Sequence, residues 1–371
     1  KDNKIALPKN IRTKVNVSGQ QAQIDQIQGK LQQQQNQQPI EITETEDGGA
    51  EIDFDPNALV PQGTASHEEN LAEFLEEDVL QEIGSEIIDN YDEHKSSRQE
   101  WEDSYTKGLD LLGFKYENRS EPFQGASGAT HPVLAEAVTQ FQALAYKELP
   151  AGGPVRTQII GKVDDPKEAQ ALRVKEYMNY QLMVNMKEYE PEFDQMLFNL
   201  PLAGSTFKKV YYDSILGRCV SKFIPAEDLV VPYNATSLED AESITHSISV
   251  TTNDLIKNQM SGFYREVDIQ AAQYNTSDVE AKKDSIAGVS NTIDEIHTIL
   301  ECHCDLDLDG FQDVNENGEA TGIRLPYIVS VDEESGTVLA IRRNFKADDP
   351  LRARRDYFVH FKFLPGLGFY G

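Results

Sequence analysis

The spacing of apolar residues changes once along this 371-residue chain, near Gly204, and this change constrains the fold more than any other feature. Between about residues 67 and 200, apolar side chains recur every three or four positions, which is typical of amphipathic α-helices. After Gly204 the chain consists of short stretches rich in β-branched and aromatic residues, separated by Gly, Pro and Asn. The pattern predicts an α+β fold, with helical segments over about 68–200 and a β-rich part over about 204–371.

Four helical regions are predicted in the first part, the last of them a shorter helix that ends near Pro201. An α-hairpin or one kinked helix covers about 68–112, and a second helix follows Thr130, which can cap it, with Pro132 in its first turn. A long helix begins after the DDP sequence and ends at Pro191. We expect its apolar side to face the core, because methionine at helical spacing usually fills a core. That side carries Leu172, Tyr177, Met178, Leu182, Met186 and Tyr189.

Strands and loops are predicted around and after these helices. VRTQIIG (155–161) has the composition of a strand, as do TFKKVYYD, CVSKFIP, DLVVPY and SITHSISV after Gly204. A short helix is expected over 252–264, with Asn253 and Asp254 as cap candidates. Residues 275–291 are typical of an exposed insertion.

The N-terminal segment differs in composition from the rest. Residues 1–60 are rich in Gln, Asn and acidic groups, including the run QGKLQQQQNQQP. Too few apolar residues are present to offset the entropy of ordering the backbone. We therefore predict a disordered Gln-rich and acidic arm over 1–60 and an α+β domain over 61–371.

The overall charge restricts the function. The formal net charge is -29, which disfavours nonspecific binding to nucleic acid or to an anionic membrane, because phosphate binding needs clustered Lys and Arg. No stretch approaches the roughly 18 apolar residues of a membrane span. Three cysteines suit a reducing compartment better than a disulfide framework.

The segment Asp305–Glu316 fits the template of a calcium-binding EF-hand loop. Acidic residues stand at loop positions one, three, five and nine, with glycine at six and glutamate at twelve. However, Leu300–Asp309 alternates with period two, which predicts a half-buried strand, and a β-hairpin with an ESG turn follows the loop. An EF-hand needs flanking helices, so this context excludes it. A calcium site of another kind stays open.

The remaining candidate groups predict no catalytic or metal site. Cys302 and Cys304 fall on one face of the predicted strand and His303 on the other, so a single zinc ion cannot easily collect all three. We interpret these cysteines, and Cys219, as small core residues. GxSxG, GK[ST], HExxH and Rossmann glycine motifs are missing. We expect no enzymatic activity, no cofactor and no bound metal.

The basic residues concentrate in RRNFKADDPLRARRDYF. This cluster could contact DNA, but an acidic surface of a neighbouring subunit is the interpretation we favour, because copies of an acidic chain need compensating charge where they meet. The predicted interface residues are Arg342, Arg343, Arg352, Arg354 and Arg355.

Several longer stretches resemble one protein family. They are YENRSEPFQGASGATHPVLAEAVTQFQ, EYMNYQL, LPLAGSTFKKVYYD, FIPAEDLVVPYNATSLEDAESITHSI and ECHCDLDLDGF. Together they resemble the portal, or head-to-tail connector, of short-tailed double-stranded-DNA bacteriophages. The resemblance covers about 68–371 and leaves the N-terminal arm out.

The resemblance implies a structural subunit of a ring, usually dodecameric, at one capsid vertex. DNA is packaged and ejected through such a ring, which docks the terminase large subunit and tail adaptor proteins and contacts the major capsid or scaffold protein. We therefore expect a virion location at the portal vertex, assembly in the host cytoplasm, no membrane, and double-stranded DNA passing through without sequence-specific binding. Acidic walls would let DNA slide because they repel phosphate.

Family members are longer than this chain. Their stem helices and clip are expected after the wing, so we expect a chain truncated before them, consisting of the arm and a wing-like domain. Without a stem it should be mainly monomeric at micromolar concentration, because part of the intersubunit contact is missing. A calcium-stabilised acidic scaffold or adhesion module is the main alternative, and a metal-dependent hydrolase built from distant carboxylates is the other.

Overall fold

A computed structural model describes residues 42–44, 50–52, 66–112, 123–127, 131–149, 153–213, 216–269, 277–288, 296–314, 320–364, 366 and 368–370. The chain divides into two compact units, Lys1–Thr64 and Ala65–Gly371. In the first unit, strands β1 (Ile42–Glu44) and β2 (Ala50–Ile52) pair antiparallel. The remainder of the predicted disordered arm lies outside the described residues, and its disorder stays a prediction.

The described part of the second unit contains seven α-helices and two antiparallel sheets, which confirms the predicted α+β class. The helices are α1 (Glu77–Ser97), α2 (Gln99–Leu112), α3 (Val133–Glu148), α4 (Asp165–Tyr180), α5 (Tyr189–Ala203), α6 (Thr252–Met260) and α7 (Asp278–Ala287). Short 3₁₀ turns cover Leu71–Glu73 and Ala226–Asp228, and a π turn covers Gln181–Asn185. No helix in this part of the chain is long and apolar enough to cross a membrane.

The strands after Gly204 form two sheets in the described residues. Their strands are β3 (Ser205–Asp213), β4 (Arg218–Ile224), β5 (Leu229–Val230), β6 (Ser243–Thr251), β7 (Ile296–Leu306), β8 (Leu325–Asp332), β9 (Val338–Arg343) and β10 (Phe358–Lys362). One sheet has three strands in the order β10-β3-β4, and the other has five in the order β5-β6-β7-β8-β9. The four strands predicted between Gly204 and Val250 and the hairpin after the acidic segment are confirmed.

The five-stranded sheet is covered on both faces. Helix α1 and the preceding 3₁₀ turn pack Leu71, Leu80, Ile83 and Ile87 on one face, against buried side chains of β7, β8 and β9. Leu255 of α6 packs on the opposite face. The predicted strand is confirmed as β7, but most of it is covered on both faces instead of on one, and within the strand only Asp305 is exposed.

Helices α1 and α2 join at Arg98, which is buried. Its guanidinium group donates hydrogen bonds to the backbone oxygens of Ala226, Glu227 and Leu229 and to the Tyr370 hydroxyl, and it pairs with Glu102 at 2.8 Å. Five donors on a rigid planar group suit several acceptors at once. Arg98 thus explains why the region predicted as a hairpin or kinked helix breaks at this residue.

A second core joins α2, α5 and α7 to the three-stranded sheet. Buried Phe207, Ile224 and Phe358 of the sheet contribute to it. Val279 of α7 is buried in the same core, so the prediction of an exposed insertion over 275–291 is wrong for the described residues 277–288. A reciprocal capping box between Ser277 and Glu280 begins α7. Helix α6 is capped by Thr251 rather than by the predicted Asn253 or Asp254.

Several local predictions are also corrected. VRTQIIG forms no strand, because the backbone of Val155 is paired with the Asn179 side chain instead of with another strand. The long helix ends before Met186 and not at Pro191, which lies in the first turn of α5, where its missing N–H costs nothing. Cys219 is exposed, although we predicted a core position. The proposed cap Thr130 lies outside the described residues.

Candidate functional site

Helix α4 carries an exposed apolar surface, which we call the α4 surface. It consists of Leu172, Val174, Tyr177, Met178 and Tyr180, together with Met183 and Val184 of the following π turn. All 16 residues of α4 are described and none is buried. Leu172 is 54% exposed and Tyr177 62%. The prediction that this side faces the core is therefore wrong for Leu172, Tyr177 and Met178, whereas Met186, beyond the end of α4, is buried as predicted.

The contacts of α4 with its own lead-in segment are polar and local. The Asn179 side chain accepts from the amide of Val155 at 3.0 Å and donates to its carbonyl at 3.1 Å. Thr157 donates to the carbonyl of Ala171 at 3.2 Å. Gly153 has φ +95°, and a Cβ there would lie 2.8 Å from the Asn179 side chain, so glycine suits this close approach. These bonds orient α4 but bury none of its apolar side chains.

The charge around α4 differs from that of the whole chain. Residues 147–185 contain six basic and five acidic side chains, whereas the chain carries a net charge of -29. This near-neutral stretch also holds exposed Ile160 and Val163 in the lead-in. A surface that is apolar and nearly neutral can approach an acidic protein without strong repulsion.

The exposure of α4 has an energetic consequence. Isolated helices of about 12–15 residues are only marginally stable in water, and most helical stability in proteins comes from packing an apolar face. Large contiguous apolar patches on soluble domains mark interaction surfaces. The α4 surface therefore has the properties of a protein–protein contact.

The predicted arginine cluster has a different geometry. Arg342 donates to the carbonyl of Glu68 at 2.7 Å, and Arg343 to that of Ser66 at 3.0 Å, so both hold the segment before α1. Arg352 pairs with Asp313 at 3.0 Å. Arg354 donates to the carbonyl of Leu238 at 2.7 Å and to that of Ala241 at 2.8 Å.

Four of the five guanidinium groups thus bond to groups of their own chain, at the segment before α1, at Asp313 and at residues 238–241, and do not form one outward-facing patch. The fifth residue, Arg355, is exposed, and its backbone amide donates to the carbonyl of Asn344 at 2.9 Å. The role of the cluster in subunit contacts stays a prediction, and Arg355 is the member best placed for it.

The acidic segment is partly described. Asp313 is bonded by Arg352 and by the hydroxyl of Thr321, the latter at 2.8 Å. Residues 315–319, including Glu316, lie outside the described part. Among the residues that the structure describes, no group of three or more His, Cys, Asp or Glu side chains could hold a metal ion. A calcium site in this loop stays a hypothesis, and it would need ligands from residues 315–319.

A buried polar cluster joins the two sheets, and sequence reasoning missed it. Glu301 of β7 lies 2.5 Å from Lys209 of β3 and 2.8 Å from Nε2 of His303. Burial opposes ionisation of Glu301, but the His303 hydrogen bond and the Lys209 charge outweigh it and hold its pKa well below the usual range. Burial also lowers the pKa of His246, on β6, to about 3. The alternation of β7 places Glu301 and His303 on one face, which is the signal that could have found the pair.

These groups are enclosed between sheets, so we assign the cluster to intersheet packing. No protein-family model matches the chain, and no curated protein matches it. Among the described residues, we therefore take the α4 surface, with its exposed apolar side chains, as the candidate functional site.

Proposed function

We propose that this chain is the wing-like structural subunit of a ring-shaped bacteriophage portal and that the α4 surface contacts the neighbouring subunit. One observation carries the proposal: a 16-residue helix without a buried residue exposes large apolar side chains inside the near-neutral part of a strongly acidic chain. The sequence resemblance to portal proteins supplies the partner, which is a second copy of the chain.

The charge distribution favours a head-to-tail arrangement. In such a ring each subunit uses two different surfaces, so the α4 surface of one copy meets another part of the next copy. That other part is acidic, because the net charge outside 147–185 is strongly negative. The basic residues Arg156, Lys167, Arg173 and Lys175 beside the apolar groups then compensate charge at the contact.

The same acidity suits a channel subunit. A ring through which DNA slides in both directions must not hold phosphate tightly, and negative walls repel it. Docking of terminase and tail adaptor proteins, and a position at the capsid vertex, belong to the proposal through the family resemblance. We propose no catalytic step for this chain.

Mass photometry of the 371-residue chain over a range of protein and salt concentrations tests ring formation. Monomers should predominate at micromolar concentration and low salt, because acidic copies repel each other. Closed rings of uniform subunit number should appear as protein and salt concentrations rise, since salt screens this repulsion. A chain that stays monomeric under all these conditions would contradict the proposal.

Paired variants then test the surface. Leu172→Glu with Tyr177→Glu places two charges on the α4 surface and should abolish the rings. The matched control is Ile256→Glu with Met260→Glu, two exposed apolar residues of α6 that lie outside both α4 and the arginine cluster. Circular dichroism should show that both double variants are folded. If the control pair disrupts rings as strongly as the α4 pair, the assignment of the contact to α4 is wrong.

A further inference from the structure

A cavity of about 710 Å³ lies at the junction of α1, the Ala226–Asp228 turn, β6, α7 and the β8–β9 turn. Its lining is rich in carboxylates. The acidic side chains are Glu102, Glu227, Asp228, Glu280, Asp332, Glu333 and Glu334, whereas Lys95 and Arg98 are the basic ones. The cavity is separate from the α4 surface.

Three of these carboxylates have structural partners. Glu102 pairs with Arg98 at 2.8 Å. Glu280 closes the capping box of α7. Asp332 accepts hydrogen bonds from the Ser335 amide and hydroxyl at 3.0 and 2.6 Å. Of the other four, Glu227 pairs with Lys283 through one oxygen, and the charge of Lys95 acts on Glu333. The second oxygen of Glu227 and the carboxylates of Asp228, Glu333 and Glu334 therefore face the cavity with less compensation.

Glu227 provides the observation that points to a bound cation. Its side chain is only 9% exposed, and one carboxylate oxygen pairs with Lys283. The other oxygen, Oε2, is buried without a hydrogen-bond partner among the described residues. Leaving a buried charged acceptor without a hydrogen bond costs free energy. A ligand that donates a hydrogen bond here would recover that cost.

The basic residues nearby do not supply the missing donor. Arg98 uses its guanidinium group on Glu102, Tyr370 and the backbone of the 226–229 segment. Lys95 lies over the Tyr91 ring, at 5.2 Å from its centre. The cavity consequently keeps an excess of negative charge.

Apolar groups also line the cavity. Ile248 and Ile296 line it from neighbouring strands, and Val279 lines it from α7. A ligand with charged ends and an aliphatic middle would match this mixed lining, since its methylene groups can pack on the isoleucines while each ammonium group meets carboxylates. The volume is larger than a single coordinated ion needs, and the described His, Cys, Asp and Glu residues form no metal-binding group.

We infer that this cavity binds a flexible aliphatic diammonium or polyammonium compound, with one ammonium group at Glu227 and Asp228 and another at Glu333 and Glu334. The inference rests on the cavity alone and does not depend on the proposed function. Burial, together with the adjacent Glu227, raises the pKa of Asp228 to about 7. A bound cation would favour the ionised carboxylate, as an opposite charge does.

Isothermal titration calorimetry of the whole chain tests the ligand class. The probes are putrescine, spermidine, n-butylamine and magnesium chloride at constant ionic strength. Putrescine should bind at least about tenfold more tightly than n-butylamine, which has the same carbon chain and one ammonium group, because the second ion pair adds about 1.4 kcal/mol. Equal affinities for the two amines, or stronger binding of magnesium than of either polyamine, would overturn the inference.

Variants test the location. The double variant Glu333→Gln with Glu334→Gln removes the charges of one half-buried and one exposed residue and leaves the core unchanged. Putrescine affinity should fall about tenfold. The matched control is Glu82→Gln with Asp89→Asn, in an open acidic groove on α1. The control should bind putrescine within about twofold of the unchanged chain, because exposed charges contribute little.

A third variant, Glu227→Gln, removes the buried carboxylate whose second oxygen lacks a partner among the described residues. It should weaken putrescine binding at least as much as the Glu333 and Glu334 pair, provided that its circular dichroism spectrum matches that of the unchanged chain. If it does not fold, the Glu333 and Glu334 pair alone decides. Equal losses in that pair and in the α1 control would show nonspecific attraction to an acidic protein and would reject the site.

Discussion

Helices α1 and α4 both carry several large apolar side chains, yet only those of α1 are covered. In α1, Leu80, Ile83 and Ile87 lie along one stripe and pack on the five-stranded sheet. In α4 the apolar residues are distributed around the helix, and none is buried. Apolar side chains in a helical sequence therefore predict the helix but do not identify the surface against which the helix packs. The partner of α1 is in the same chain, and under our proposal the partner of α4 is in the next one.

The largest expected difference between α1 and α4 is in the free energy of unfolding after the same substitution, leucine to alanine. Leu80→Ala in α1, where Leu80 is 1% exposed, should lower the free energy of unfolding by about 2–5 kcal/mol, because it leaves a cavity. Leu172→Ala in α4 should change it by less than about 0.5 kcal/mol, because its side chain is already in solvent. Urea denaturation of the monomeric chain measures both values. Similar losses in the two variants would mean that α4 is covered within its own chain.

A second comparison uses glycines in the helices that precede α4. A Cβ on Gly84 of α1 would lie 2.1 Å from the carbonyl oxygen of Gly336 in the β8–β9 turn. Gly84→Ala should therefore lower the free energy of unfolding by about 1–3 kcal/mol through overpacking. On Gly108 of α2 the nearest atom would be 3.6 Å away, on Leu202, so Gly108→Ala should raise it by up to about 1 kcal/mol. Thermal unfolding distinguishes the signs, and a stabilised Gly84→Ala would show that α1 does not approach the turn this closely.

The third comparison concerns α5, which buries a charged side chain of the three-stranded sheet. Lys208 of β3 is buried under α5, with its ammonium group 4.5 Å from the centre of the Tyr189 ring. Burial lowers the pKa of Lys208 to about 8. The folded chain then disfavours the protonated lysine, so Lys208→Met should raise the free energy of unfolding by about 1–2 kcal/mol at pH 7.

The pH dependence checks the cause of this effect. A lysine with a lowered folded-state pKa destabilises the fold below pH 8, and this penalty disappears as pH rises towards 10.5, the unfolded value. The advantage of Lys208→Met over the unchanged chain should shrink across that window. An advantage that is constant from pH 7 to 10 would indicate improved packing instead of removal of a buried charge.

The candidate site could be predicted only in part. The helix at α4 is visible in the sequence, with Asp164 capping it and Pro166 in its first turn. Its exposure was not predicted, although the scatter of Leu172, Val174 and Tyr177 around the helix is a signal that sequence reasoning could have used. The cavity at Glu227 was also missed, since its lining comes from segments far apart in the chain.

The order and type of most helices and strands could be predicted from the sequence, because apolar spacing and turn-forming residues influence the backbone within a few positions. The sequence predicted the helices before Gly204, the strands after it and the hairpin beyond the acidic segment. Tertiary structure decided which faces are covered. It enclosed β7 on both sides, buried Val279, exposed Cys219 and brought Arg98 to the backbone of residues 226–229. Burial depends on which distant segment arrives at a face, and local periodicity carries no information about that contact.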